Sequence, residues 1–163
     1  MKSMKSIVAF AFTLVLATSC SLFNHKHDQA EAKEEQVAKS IQFRSGACFG
    51  QCPVFTCTLN NDGTATFTGK NFVDFEGEHT AQVDGTTVEG WIQRAEEIGF
   101  FTLEKEYDNP NVSDLPEKET TITVGEKSHT IRSRYGVPDA LRAWEKGLMQ
   151  YVLKEIEWKK TAK

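Results

Sequence analysis

From residue 41 onward the chain alternates between two hydrophobic periods. Ile41-Gln42-Phe43-Arg44 steps apolar, polar, apolar, polar, the period of a strand with one buried face. Over residues 54–59, Phe55, Cys57 and Leu59 fall on one face and Val54, Thr56 and Thr58 on the other. Asn60-Asn61-Asp62-Gly63 is a strong turn signal and predicts a hairpin into residues 64–69. Residues 71–75 with Glu76-Gly77 predict a further short strand and turn, and residues 78–83 another. Residues 119–124 and 127–133 flank Gly125-Glu126, where Gly in the first central position fits a type II′ turn.

The second period is helical. Val88, Trp91, Ile92, Ala95 and Ile98 recur at steps of three and four, which lines one helix face. Thr86 or Thr87 is the expected cap, Gly99 the expected stop, and Phe100-Phe101 should pack beneath. A second helix opens at Val137-Pro138-Asp139, with Leu141, Trp144, Leu148, Tyr151 and Val152 as its stripe. Tight turns, not helical crossovers, join most strands. The pattern therefore predicts one α+β domain over residues 41–158: an antiparallel sheet of short strands and hairpins with two amphipathic helices packed on one face. Residues 107–118, with Asn109-Pro110-Asn111, Asp114 and Pro116, form a polar loop long enough to raise the question of function.

The N-terminus reads differently. Lys2 and Lys5 precede an apolar run over residues 7–17, and Ala17, Thr18 and Ser19 lead to Cys20. Spanning a bilayer takes about 20 apolar residues, so this run is too short, and it fits a secretory signal over residues 1–19. Leu16-Ala17-Thr18-Ser19-Cys20 resembles a bacterial lipobox, with Ala17 where that motif usually has Leu. The resemblance implies cleavage before Cys20 and a lipid on Cys20, which makes the membrane a partner. Residues 20–40 have few large apolar side chains after Phe23 and read as a flexible tether, and residues 159–163 as a basic C-terminal tail. His25 and His27 lack a fixed third ligand and read as part of the tether. The expected location is the cell envelope, anchored by lipid to a bacterial membrane, with the domain in the periplasm or at the cell surface.

Charge narrows the partners. The chain has 19 Lys and Arg against 23 Asp and Glu, and removal of residues 1–19 leaves 17 against 23, a net of −6. An acidic balance argues against nucleic acid and leaves an envelope protein as the expected partner.

The chemically unusual stretch is Cys48-Phe49-Gly50-Gln51-Cys52-Pro53. A disulfide needs Cα atoms roughly 5.5 Å apart, so this C-x3-C spacing requires a tight turn, which Gly50 permits through positive φ. Four readings stand. Cys48 and Cys52 form a structural disulfide or a thiol pair at a strand entry. One of them pairs with Cys57, although Cys57 shares a face with Phe55 and Leu59 and is expected to be buried, reduced and inert. They form a thiol-redox centre, although such dithiols use C-x-x-C at a helix start. Or they bind copper, since the motif resembles the C-x3-C-P of envelope copper chaperones of the Sco type, whose thioredoxin-like context is missing here.

A broader resemblance rests on Gly46-Ala47-Cys48-Phe49-Gly50, Cys52-Pro53-Val54-Phe55, Asp62-Gly63-Thr64, Phe67, Gly69, Phe100-Phe101, Tyr107, and Pro138 before Leu141. Together these are similar to domain of unknown function 6438, a family of bacterial envelope lipoproteins. The resemblance covers nearly all of residues 41–158 and implies location and domain limits but no mechanism. Cys57 is extra to the pattern.

No other constellation carries chemistry. His79 and His129 are the histidines inside the domain, and neither neighbours a G-x-S-x-G turn. Asp62, Asp74, Asp84, Asp108 and Asp114 mostly sit at turn positions. Arg132, Arg134 and Arg142 read as a solvated face. The expectation is a non-enzymatic binding or interaction module without cofactor or metal. The alternative is an envelope thiol-redox or copper-handling protein using Cys48 and Cys52.

Overall fold

One sheet frames the domain in the computed structural model, which describes residues 37–161. Its strands are β1 (Lys39–Ser45), β2 (Val54–Asn60), β3 (Thr64–Asn71), β4 (Gly77–Gln82), β5 (Glu106–Tyr107), β6 (Lys118–Val124), β7 (Lys127–Ser133) and β8 (Lys159–Lys160). Their spatial order is β5-β7-β6-β1-β2-β3-β4-β8. All neighbours are antiparallel except β5 and β7. Two helices, α1 (Gly85–Glu97) and α2 (Asp139–Lys154), complete the α+β fold.

The alternation along each strand becomes two chemically distinct sheet faces. Phe43 pairs with Cys57, and Cys57 with Phe67. Ile122, Ile41, Leu59 and Ala65 form the neighbouring row. These side chains are buried, and the Phe55 ring lies 5.8 Å from Phe43 and 5.2 Å from Phe67. Val88, Ile92 and Ala95 of α1 and Leu141, Trp144, Leu148 and Val152 of α2 join the same core, so both helices cover one face. Burying one such side chain contributes about 1.5–3 kcal/mol. The opposite face is polar, with Thr130, Thr121, Gln42, Thr58, Thr66 and Thr80 in one register row.

Turn chemistry fixes the register. Gly63 adopts φ 89°, and its N–H bonds to the Asn60 carbonyl. Asp62 accepts from the Thr64 amide at 2.8 Å and from its hydroxyl at 2.6 Å. Gly125 has φ 58° in the two-residue connection between Val124 and Lys127, as a type II′ turn requires.

Two local expectations are corrected. Residues 71–75 do not form a separate strand. Asn71 ends β3, and the following residues loop back so that the Phe75 carbonyl lies over Gly69, where any Cβ would overlap it. Phe72 takes a left-handed φ of 55° in that loop. The cap of α1 is Asp84, not Thr86 or Thr87, because the Asp84 carboxylate accepts from both the amide and the hydroxyl of Thr86. The two-residue strands β5 and β8 had no signature, since a strand that short has no period to read. β1 begins at Lys39, two residues before the expected domain start, and β8 uses two lysines of the expected tail.

Candidate functional site

The register brings four connections to one end of the sheet. Ser45, the last residue of β1, pairs with Lys118, the first of β6, and Lys118 pairs with Ser133, the last of β7. Val54, the first of β2, pairs with Asn71, the last of β3. The loop over residues 46–53, the β3–β4 loop, the entry to β6 and the exit from β7 therefore form a common rim. Each carries one large exposed apolar side chain: Phe49 is 93% exposed, Phe72 55%, Leu115 41% and Tyr135 48%. Among the described residues the other such side chain is Val37, at the opposite end beside the start of β1.

The most exposed of these sits on the most constrained loop. Cys48 and Cys52 are joined by a disulfide, with their Cα atoms 5.7 Å apart. The Gly46 N–H donates to the Glu117 carbonyl at 2.8 Å, and the Phe49 N–H to the Asp114 carbonyl at 3.1 Å. A Cβ on Gly46 would stand 2.9 Å from the Glu117 oxygen, so the approach of the two loops needs glycine. The loop is thus closed on itself and tied to the polar segment before β6. Gly50 does not use positive φ to close it. Its N–H donates to Cys48 Sγ at 3.2 Å instead.

The cysteine alternatives now have geometry. Cys57 is unpaired and buried between Phe43 and Phe67, so a bridge to Cys57 does not form. Burial pushes its thiol up to about 12, against a smaller opposing effect of a backbone hydrogen bond at Phe43. After Cys52 the chain enters β2, so neither cysteine opens a helix. His79 packs edge-on to Phe67 and Phe75, and a ring nitrogen of His129 lies 3.0 Å from the Leu103 carbonyl. Cys20, His25 and His27 lie outside the described residues.

Two charge clusters brace the rim from behind. Glu117 receives Arg44, Arg132 at 3.2 Å and Arg134 at 3.1 Å. The Arg44 hydrogen bond, followed by a hydrogen bond from Arg132, holds the Glu117 carboxyl below its usual range against a desolvation that raises it. Arg132 and Arg134 are therefore not simply a solvated face. Arg142 is closer to that description, with Asp139 at 3.1 Å on the surface of α2. The second cluster is internal. Glu145 on α2 has no solvent exposure, accepts from the Ser133 hydroxyl at 2.6 Å and faces Lys118 Nζ at 3.0 Å. Sequence reasoning missed Glu145, although Leu141, Glu145, Leu148 and Val152 share helical steps, which places a carboxylate inside an apolar stripe.

Asp108 lies 3.6 Å from Arg134, and the Asp114 carbonyl accepts from the Phe49 amide. What the arrangement offers is a partly apolar edge, with Phe49 and Tyr135 on backbones held by hydrogen bonds to neighbouring segments. No curated protein and no solved structure matches the chain. The model of a domain of unknown function, DUF6438, matches residues 39–152, from the first residue of β1 to the last turn of α2. The chain belongs to the domain of unknown function 6438 family.

Proposed function

We propose that the protein is a lipid-anchored module of the bacterial cell envelope that binds a protein partner through the rim carrying Phe49, Phe72, Leu115 and Tyr135. The observation that carries this reading is their convergence: four of the five large apolar side chains exposed among the described residues stand on loops at one end of the sheet. Exposed aromatic residues on a pre-ordered backbone are what binding hot spots are made of, because little conformational freedom is lost on docking. Burying Phe49 alone contributes about 1.5–3 kcal/mol. The role is binding and not catalysis. The lipobox-like Leu16-Ala17-Thr18-Ser19-Cys20 supports an anchor on Cys20. β1 begins at the end of the sheet opposite the rim. The thiol-redox and copper readings of Cys48 and Cys52 have less support, since β2 follows the motif and both domain histidines are engaged elsewhere.

Photo-crosslinkers placed at positions 49 and 135 in cells test the rim, with position 130 on the polar sheet face as control. A discrete adduct shared by positions 49 and 135 and absent at 130 is expected. Identical adduct patterns at all three positions, or none at any, overturn the reading. For the anchor, Cys20→Ala releases the protein to the soluble fraction. Membrane association that persists in Cys20→Ala rules the anchor out.

A further inference from the structure

We propose that a cavity between the entry to β6 and the start of α2 binds a small carboxylate carried on an apolar body. The cavity measures about 550 Å³, within the range of about 300–1,000 Å³ usual for small-molecule sites. Leu115, Pro116, Tyr135 and Val137 give it apolar walls, and Lys118, Arg134 and Arg142 supply its charges. No Asp or Glu lines it. The carboxylates that partner these cations, Glu145, Glu117, Asp108 and Asp139, stand outside the lining. The surface offered to a ligand is apolar with cationic points, the inverse of the net acidic chain.

Arg134, which lines the cavity, keeps one donor without an acceptor. The terminal nitrogens of Arg134 are engaged by Asp108 and Glu117, but its Nε is buried with no hydrogen-bond partner among the described residues. Native proteins seldom leave such a donor unmatched. A carboxylate in the cavity meets the exposed part of the Arg134 guanidinium, and a turn of that side chain would bring the covered Nε to it as a charge-assisted bond. Lys118 stands beside it, one of its three donors taken by Glu145 at 3.0 Å. Lys118 and Ser133 are direct cross-strand partners, so the polar end of the cavity is set by sheet register and not by a loop. The apolar walls, which include two of the rim residues, then receive the body of the ligand. The site shares Leu115 and Tyr135 with the rim, but its test needs no protein partner.

The experiment is an NMR titration of the full chain with 3-phenylpropanoate and with its neutral amide, which share their shape and differ in charge. A peptide with a free C-terminal Phe, and its amidated form, make a second pair. Saturable shifts at the Ser133 and Gly136 amides with an acid, at least about tenfold weaker with the matching amide, are expected. The pair that shows this difference identifies the source as a free acid or a chain terminus. Arg134→Gln weakens acid binding by a similar factor in folded protein. Equal binding of acid and amide, no saturable shift up to about 10 mM, or undiminished binding by folded Arg134→Gln overturns the proposal.

Discussion

Lys118 Nζ lies 3.0 Å from Oε2 of Glu145, and that carboxylate has no contact with solvent. The two partners are not equivalent. Lys118 keeps some exposure and can turn its ammonium to water, whereas Glu145 is held inside α2's buried stripe. Removing the lysine strands a charge, and removing the carboxylate does not. Lys118→Met is therefore expected to cost about 3–5 kcal/mol, and Glu145→Gln, which keeps an acceptor for Ser133, clearly less. Urea unfolding of both variants and of the double variant checks this. In the double variant most of the Lys118→Met loss is recovered, because no buried charge remains.

Glu117 sets an acid limit. Its folded carboxyl is held below the usual value of 4.5, chiefly by the Arg44 hydrogen bond. The unfolded chain therefore takes up this proton first as pH falls. The contribution is complete above about 4.5 and declines as pH drops through the lower folded value. The expected result is a fall in urea midpoint between pH 6 and pH 3 that is shallower in Glu117→Gln. An unchanged slope in that variant would remove Glu117 from the account.

Cys57 sets an alkaline one. Its thiol is raised from 9.0 to about 12 by burial. The sign is opposite to that of Glu117: stability is fully present below about 9 and declines as pH rises from there toward about 12. At pH 8 the native thiol should not react with a maleimide over hours, and should react within minutes in denaturant. Fast labelling of the native protein contradicts the buried placement.

The Cys48–Cys52 disulfide encloses a very short loop. On the chain-entropy relation, closing so few residues stabilises by about 2 kcal/mol. Reduction, or Cys48→Ser with Cys52→Ser, is expected to lower stability by about that amount and leave the core folded. The effect on the rim is local: amide exchange at Phe49 and Gly50 speeds up while that of Phe43 and Phe67 stays slow. Global unfolding on reduction would mean that the staple supports the core as well.

Much of the fold was legible because the sheet has one wet face. Alternation at Phe55, Cys57 and Leu59 and the turn residues of Asn60-Asn61-Asp62-Gly63 fix strands and register together. Helix stripes were equally clear, but the cap of α1 was not, since Asp84, Thr86 and Thr87 all favour caps and only the hydrogen bonds choose. The loop at residues 71–75 misled because Phe72, Val73 and Phe75 look strand-like. Val73 and Phe75 do pack on the core, but from a loop that folds over Gly69. The cysteine stretch advertised itself by composition. Its neighbours on the rim did not, because Phe49, Phe72, Leu115 and Tyr135 are scattered in sequence and share one end of the sheet only through strand pairing.

The two shortest strands govern what can approach the sheet sideways. β5 at one margin and β8 at the other offer two residues each, and β8 is a pair of lysines. Where β5 and β8 lie, a foreign strand seeking to extend the ladder finds only a brief template and, on one flank, like charges that repel a second copy. Recognition by added strands, one way a sheet edge recruits an extended peptide, is discouraged along those stretches. Growth along the hydrogen-bonding direction is discouraged where β5 and β8 lie, so copies of the chain gain little by stacking edge to edge there.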